Sequence, residues 1–170
     1  VNVLRIAITG PECSGKTTLA KELARRFQTV YVPEFARSYL ETKTGPYTLS
    51  DLEQILIGQL EAEKEAMGNA NQFLFCDTDP LVIKIWAEER FGTCPPAIQQ
   101  AFETHLYDRI LLCAPDIPWE PDPLRENPQD REWLYQRYRD TLLAHNHPFV
   151  EVTGPLEKRL SFTEKLLADS

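Results

Sequence analysis

The sequence lacks any apolar run long enough to cross a membrane. Its apolar runs, such as Ile6–Thr9 with Val3 and Leu4 just ahead, fall far short of the roughly 18–20 residues a span needs. The N-terminus, VNVLRIAITG, has no charged region, apolar stretch and small-residue cleavage site in sequence, so no signal peptide is read there. It starts with Val rather than Met, as a trimmed or excised piece does. Basic residues are in deficit: 18 Lys and Arg against 26 Asp and Glu leave a formal charge of −8. That balance disfavours general nucleic-acid binding, which needs clustered cations against phosphates. The four cysteines, Cys13, Cys76, Cys94 and Cys113, form no CxxC, and no His stands at metal-finger spacing from them. Cys76 and Cys113 fall in apolar, strand-like runs and read as small buried hydrophobes in a reduced, cytoplasmic setting. Internal repeats and low-complexity tracts are also missing.

What remains is ordinary globular composition. The chain has 170 residues, 42% hydrophobic and 26% charged, enough for one domain with a core. Residues 1–170 are read as one domain. Short apolar runs alternate with helical patterns. Strands are expected at Val3–Thr9, Thr29–Val32, Gln72–Cys76, Asp108–Cys113 and Pro148–Val152. Helices are expected at Gly15–Phe27, Phe35–Glu41, Leu49–Met67, Pro80–Arg90, Pro96–Leu106, Asp130–Ala144 and Pro155–Ala168. Ser50 with Glu53 has capping-box spacing. Near-continuous apolar strands alternating with helices predict an α/β fold, a five-stranded parallel sheet with helices on both faces.

The first strand runs into Gly10-Pro-Glu-Cys-Ser-Gly-Lys-Thr-Thr18, and a helix follows. This is the G-x-x-x-x-G-K-T loop of the P-loop fold, in the strand–loop–helix context that the motif demands. Glycines allow the tight turn. Backbone N–H groups around Cys13, Ser14, Gly15, Lys16 and Thr17 can then converge on a phosphate, helped by the helix N-terminus. Lys16 reaches the β- and γ-phosphates of ATP, and the Thr17 hydroxyl suits Mg²⁺. Gly10 and Thr18 complete the nucleotide-binding set.

Ligands of such sheets sit at the carboxyl ends of the strands, so carboxylates there carry information. The second strand ends at Val32-Pro33-Glu34, the third at Cys76-Asp77-Thr78-Asp79. Asp77 is read as a Mg²⁺ ligand, directly or through water. Either Glu34 or Asp79 can take the proton of an acceptor hydroxyl. Helix capping is the structural alternative for these acids. Arg37, one turn beyond Glu34, can pair with Glu34 or with a phosphate.

Ala114–Pro128 holds five of the thirteen prolines and reads as an exposed loop. With the charged helix beyond, it forms a lid over roughly residues 114–139. Arg125 and Arg131 are the arginines expected to neutralise transferring charge and exclude water. Arg137 and Arg139 read instead as a solvated face, paired with Asp130, Glu132 or Asp140. Trp86, Trp119 and Trp133 read as packing residues, as do Phe35 and Tyr39 beyond Glu34. His105, His145 and His147 read as surface or structural.

Together, GPECSGKTTLAKELA, VPEFAR, FLFCDTDPLVIKIW, LLCAPDIPWEPDPLR with Arg131, and PFVEVTG resemble the kinase domain of NadR-type proteins, P-loop ribosylnicotinamide kinases. The resemblance runs roughly from Val3 to Leu160. It implies ATP-dependent phosphorylation of the ribose 5′-hydroxyl of nicotinamide riboside, giving nicotinamide mononucleotide. It also implies Lys16 and Thr17 on phosphates and Mg²⁺, Asp77 and Asp79 at the metal and acceptor site, and Arg125 and Arg131 in the lid. The DNA-binding and adenylyltransferase segments that often precede this kinase do not fit within the chain. Members of the family can carry Trp where Pro33 stands here. Val32-Pro33-Glu34 also resembles deoxynucleoside kinases, in which the Glu is the base. The expected partner is a small nucleoside, with no nucleic acid and no membrane. A kinase for another nucleoside or small alcohol, and an ATP-binding regulatory module, are the alternatives.

Overall fold

Alternation along the first strand decides the layering. In β1 (Leu4–Thr9), Ile6 and Ile8 point to one face of the sheet and Ala7 to the other. The order of elements in the computed structural model is β1, α1 (Lys16–Arg26), β2 (Tyr31–Val32), α2 (Phe35–Glu41), α3 (Leu49–Ala66), β3 (Phe73–Asp77), α4 (Pro80–Phe91), α5 (Pro96–Thr104), β4 (Arg109–Cys113), α6 (Arg131–Ala144), β5 (Val150–Val152) and α7 (Leu156–Ala168). Residues 2–122, 125–126 and 129–170 are described. Pro123, Leu124, Asn127 and Pro128 of the proline-rich segment lie outside them, as does Val1.

The five strands are parallel, in the order β2-β3-β1-β4-β5. One face packs Ile6, Ile8, Phe73, Phe75 and Leu111 on α1 and α7, through Leu19, Leu23 and Leu160. The opposite face sets Ala7, Ile110 and Leu112 on α4, α5 and α6. Near β2, Val32, Leu74 and Cys76 meet Ala62 and Ala66 of α3. Each large side chain removed from water in these layers contributes about 1.5–3 kcal/mol. β1 is the central strand, and β3 beside it is buried along its whole length. No helix among the described residues is long and apolar enough to cross a membrane.

Several boundaries differ from the sequence reading. β2 is two residues long and starts at Tyr31, not Thr29. The Thr29 hydroxyl instead donates to the Phe73 carbonyl at 2.7 Å, and the Thr29 amide to Ala24. The capping box of α3 uses Thr48 and Asp51 rather than Ser50 and Glu53. Asp51 accepts from the Thr48 amide at 2.6 Å, and the Asp51 amide donates back to the Thr48 hydroxyl. Arg137 pairs with Glu88 and Glu89 of α4, and Arg139 with Glu151. Their partners thus come from neighbouring elements rather than from their own helix.

Candidate functional site

After Thr9 the chain turns through Gly10 (φ 139°) and returns at Gly15 (φ 84°) into α1. A Cβ on Gly10 would stand 2.7 Å from the Cys113 carbonyl oxygen, so only glycine lets the loop pass β4. The Ser14 hydroxyl donates to the Pro11 carbonyl at 2.7 Å. Lys16 Nζ folds back onto the Gly10 and Pro11 carbonyls, each at 2.9 Å. The Lys16 ammonium is thus held on the loop it would share with a phosphate.

Thr17 Oγ1 donates to Asp77 Oδ2 at 2.6 Å. Asp77 is 1% exposed, and its other oxygen, Oδ1, has no hydrogen-bond partner. Burial pushes this carboxyl up to about 6, against the opposing effects of the Thr17 hydroxyl and the Lys16 charge. Thr78 follows at φ 91°, a conformation rare for a β-branched residue. It separates two carboxylates with different surroundings. Asp79 caps α4, accepting from the Val82 amide at 3.2 Å and from the Thr9 hydroxyl at 2.8 Å.

A cavity of about 350 Å³ opens from the loop. Lys16, Thr17 and Thr18 line it beside Glu34, the residue just ahead of α2. The far wall is α4, through Val82, Ile85, Trp86, Glu89 and Arg90, completed by Tyr138 of α6. Gly10, Cys13, Ser14, Gly15 and Arg125 also border it. Asp77, Asp79 and Arg131 do not. Asp79 instead borders a second cavity of similar size that holds His105, His145 and His147. Among the described residues no cluster of three or more His, Cys, Asp or Glu is arranged to hold a metal by itself.

Pro118 and Glu120 of the proline-rich segment lie against the phosphate loop. Cys13 Sγ donates to the Pro118 carbonyl at 3.4 Å and accepts from the Glu120 amide at 3.2 Å. Arg131 donates to the carbonyls of Cys13 (3.1 Å) and Ile117 (2.8 Å), so it clamps the segment to the loop. Trp119 is flanked by two guanidinium groups, Arg125 at 5.9 Å and Arg131 at 5.5 Å from its ring centre. Arg37 pairs with Asp122 of the same segment at 3.0 Å, rather than with Glu34.

Three contributors escaped the sequence reading. Arg159 of α7 is 2% exposed and donates to the carbonyls of Ser14, Ala114 and Gly154 and to Asp116. A lone Arg in an amphipathic helix carries no mark of that role. Trp86 reads from the sequence as packing. The stripe Val82, Ile85, Trp86, Glu89, Arg90 does have i, i+3, i+4, i+7, i+8 spacing, one helix face that leads from the Asp77–Asp79 corner. That was the available signal. Glu12, whose carboxylate accepts from the Glu126 amide at 3.0 Å, had none.

A family profile described as an AAA domain matches residues 5–159. The trifunctional NAD biosynthesis/regulator protein NadR of Salmonella typhimurium is 30% identical over 156 residues, covering 88% of this chain. The chain spans only 38% of that relative's length. Among solved structures, a NadR protein in complex with NR superposes with a TM-score of 0.76 at 23% identity, covering 89% of this chain and 46% of that one. A deoxyadenosine kinase from M. mycoides gives 0.63 at 14% identity, covering 98% of this chain and all of the other. At these identities the structures establish the fold, that of P-loop kinases.

Proposed function

The chain belongs to the AAA-domain family, and from that premise we propose that it is an ATP-dependent kinase for the ribose 5′-hydroxyl of nicotinamide riboside, with nicotinamide mononucleotide as product. One observation carries the reading. One cavity runs from the phosphate loop, past Glu34, to a wall with an indole and a phenol. A nucleotide switch needs the loop alone. A kinase needs a second compartment where an alcohol meets the γ-phosphate. The 30% identity to NadR supports nicotinamide riboside as the acceptor.

In this reading residues 1–170 form one P-loop kinase domain, with the lid over roughly 114–139. The amides of Cys13 to Thr18 and the Lys16 ammonium hold the triphosphate. Lys16 moves from the Gly10 and Pro11 carbonyls to the phosphates, exchanging two neutral acceptors for charged ones. The donor set fits Mg²⁺: a hydroxyl, plus a buried carboxylate whose second oxygen is unpartnered. Thr17 and Asp77 would hold it. Bound there, Mg²⁺ would neutralise charge on the phosphates.

Glu34 is the better placed of the two carboxylates to act as the base. It borders the cavity, and its carboxylate makes no hydrogen bond to another described residue. Asp79 is committed to Thr9 and to the first turn of α4. Glu34 orients the 5′-hydroxyl and takes its proton as the oxygen–phosphorus bond forms and the bond to ADP breaks. Arg125 neutralises charge on the transferred group, and Arg131 holds the lid segment on the loop.

A kinase for another nucleoside is the second reading. It is favoured by Pro33, exposed and non-aromatic at a position where members of the resembled family can carry Trp. ATP consumption with Mg²⁺ and a panel of acceptors tests both: nicotinamide riboside, ribonucleosides, deoxynucleosides and none. Turnover with nicotinamide riboside at least tenfold above the rest is expected. Preference for a different nucleoside replaces the substrate and leaves the mechanism. ATP binding without acceptor-dependent turnover favours a regulatory module.

A further inference from the structure

Tyr47 lies in the turn between α2 and α3, a turn the sequence marks with Gly45 and Pro46. It reaches two parts of the site at once. Its phenol donates to Glu126 Oε1 of the lid segment at 2.5 Å. The same oxygen accepts from Trp86 Nε1, on the far wall of the cavity, at 3.0 Å. Glu126 is anchored in turn, since its amide donates to the Glu12 carboxylate of the phosphate loop at 3.0 and 3.1 Å. A continuous chain of hydrogen bonds thus runs from the cavity wall, through Tyr47, to the lid segment and the phosphate loop.

We infer that Tyr47 is a positioning residue that ties the acceptor wall at Trp86 to the lid at Glu126, so that a seated acceptor and a seated lid favour each other. The inference rests on the kinase reading above. The phenol suits the task. Burial first, and then the bond to Glu126, push it up to about 12, so it stays a donor throughout the physiological range. Its ring is held independently, edge-on to Trp86 and Phe91 at centroid distances of 5.2 and 5.9 Å, with Arg90 over its face at 5.8 Å. Removing the hydroxyl therefore leaves the packing and deletes only the tie. The coupling has a chemical use: a lid that settles only with an acceptor in place limits transfer of the γ-phosphate to water.

Tyr47→Phe is the test, beside Glu126→Ala, the double variant and the conservative Glu126→Gln, whose amide oxygen still accepts from the phenol. Tyr47→Phe is expected to raise KM for the acceptor about three- to tenfold, with kcat changed less than threefold. The ratio of ATP hydrolysis to transfer should rise by a similar factor. Glu126→Ala should match it, the double variant should be no worse than either single, and Glu126→Gln should recover most of the loss. Unchanged acceptor KM and hydrolysis ratio in Tyr47→Phe, or losses that multiply in the double variant, would overturn the tie. Amide hydrogen exchange of the lid segment with Mg·ATP needs no turnover. Faster exchange there in Tyr47→Phe supports the tie even if the wild type phosphorylates no acceptor, a result that would sink the kinase reading alone. Unaltered exchange counts against the tie in either case.

Discussion

Thr17 and Asp77, sixty positions apart in the chain, meet through a 2.6 Å hydrogen bond at the mouth of the phosphate loop. Strand pairing produces the meeting. β1 and β3 are parallel neighbours, with Ile8 opposite Asp77, so the residues that follow β1 and those that end β3 converge on one edge. The second Asp77 oxygen is left buried and unpartnered.

That arrangement sets function against stability. Asp77→Asn removes a charge that is costly to bury and leaves a group that still accepts from Thr17. Without ligand, the melting temperature should be unchanged or higher, by the equivalent of about 1 kcal/mol. kcat should fall about 10²–10³-fold, and more Mg²⁺ should be needed for half-maximal rate. Thermal melts paired with Mg²⁺ titrations of the rate check this. A stability loss with full activity would remove Asp77 from the proposed metal site.

Substitution should separate the two candidate bases. Glu34→Gln should lower kcat about 10²–10⁴-fold with little change in KM for ATP. Asp79→Asn keeps a good helix cap and an acceptor for Thr9, so kcat should stay within about tenfold of wild type. Steady-state kinetics of the pair decides the assignment. The reverse ranking would make Asp79 the base.

Gly58 of α3 admits the ring of Phe35, the residue after Glu34. A Cβ at Gly58 would stand 2.1 Å from the nearest ring carbon, so the ring must move. Gly58→Ala gains about 1 kcal/mol of helix propensity. Overpacking, at about 1–3 kcal/mol, should offset that and leave a net loss of up to about 2 kcal/mol. Displacement of Phe35 should carry Glu34 with it and lower kcat. Denaturant melts and kcat together test this. A more stable, fully active Gly58→Ala would show that Phe35 relocates freely.

Acid should loosen the α2–α3 corner. The Tyr39 phenol, then the Thr48 backbone amide, hold Asp51 below the ordinary aspartate value of 3.8. A carboxyl depressed in the folded state contributes stability above its unfolded value, and that contribution is lost as pH falls through the folded one. Wild type should therefore melt above Asp51→Asn by a constant margin from about pH 5 upward. The margin should shrink as pH drops below 3.8. Melting curves of both proteins from pH 7 down to pH 2.5 follow it. A margin independent of pH would assign the effect to shape rather than charge.

The phosphate loop, the layer order and the strand-end acids were legible from the residues alone. Each rests on local chemistry: glycine spacing, alternation along a strand, a carboxylate closing an apolar run. The resemblance carried by the five quoted motifs reached the family as well. Boundaries at β2 and at the cap of α3 were missed because several residues there satisfy the same local rule. Thr48 and Ser50 each stand three positions before an acid, and packing decides between them.

The sequence by itself determined that a parallel sheet would present a phosphate-binding loop beside Glu34, Asp77 and Asp79. Only the tertiary structure decided how those acids divide. Asp77 turns to Thr17, Asp79 is spent on Thr9 and the α4 terminus, and Glu34 is left at the cavity. It alone also joined Arg159 to the phosphate loop, and Tyr47 to Trp86 and Glu126. The reason is physical. A motif fixes the backbone over a few residues, whereas a side chain's partner is set by the relative placement of elements far apart in the chain, through burial and hydrogen-bond satisfaction that no local pattern encodes.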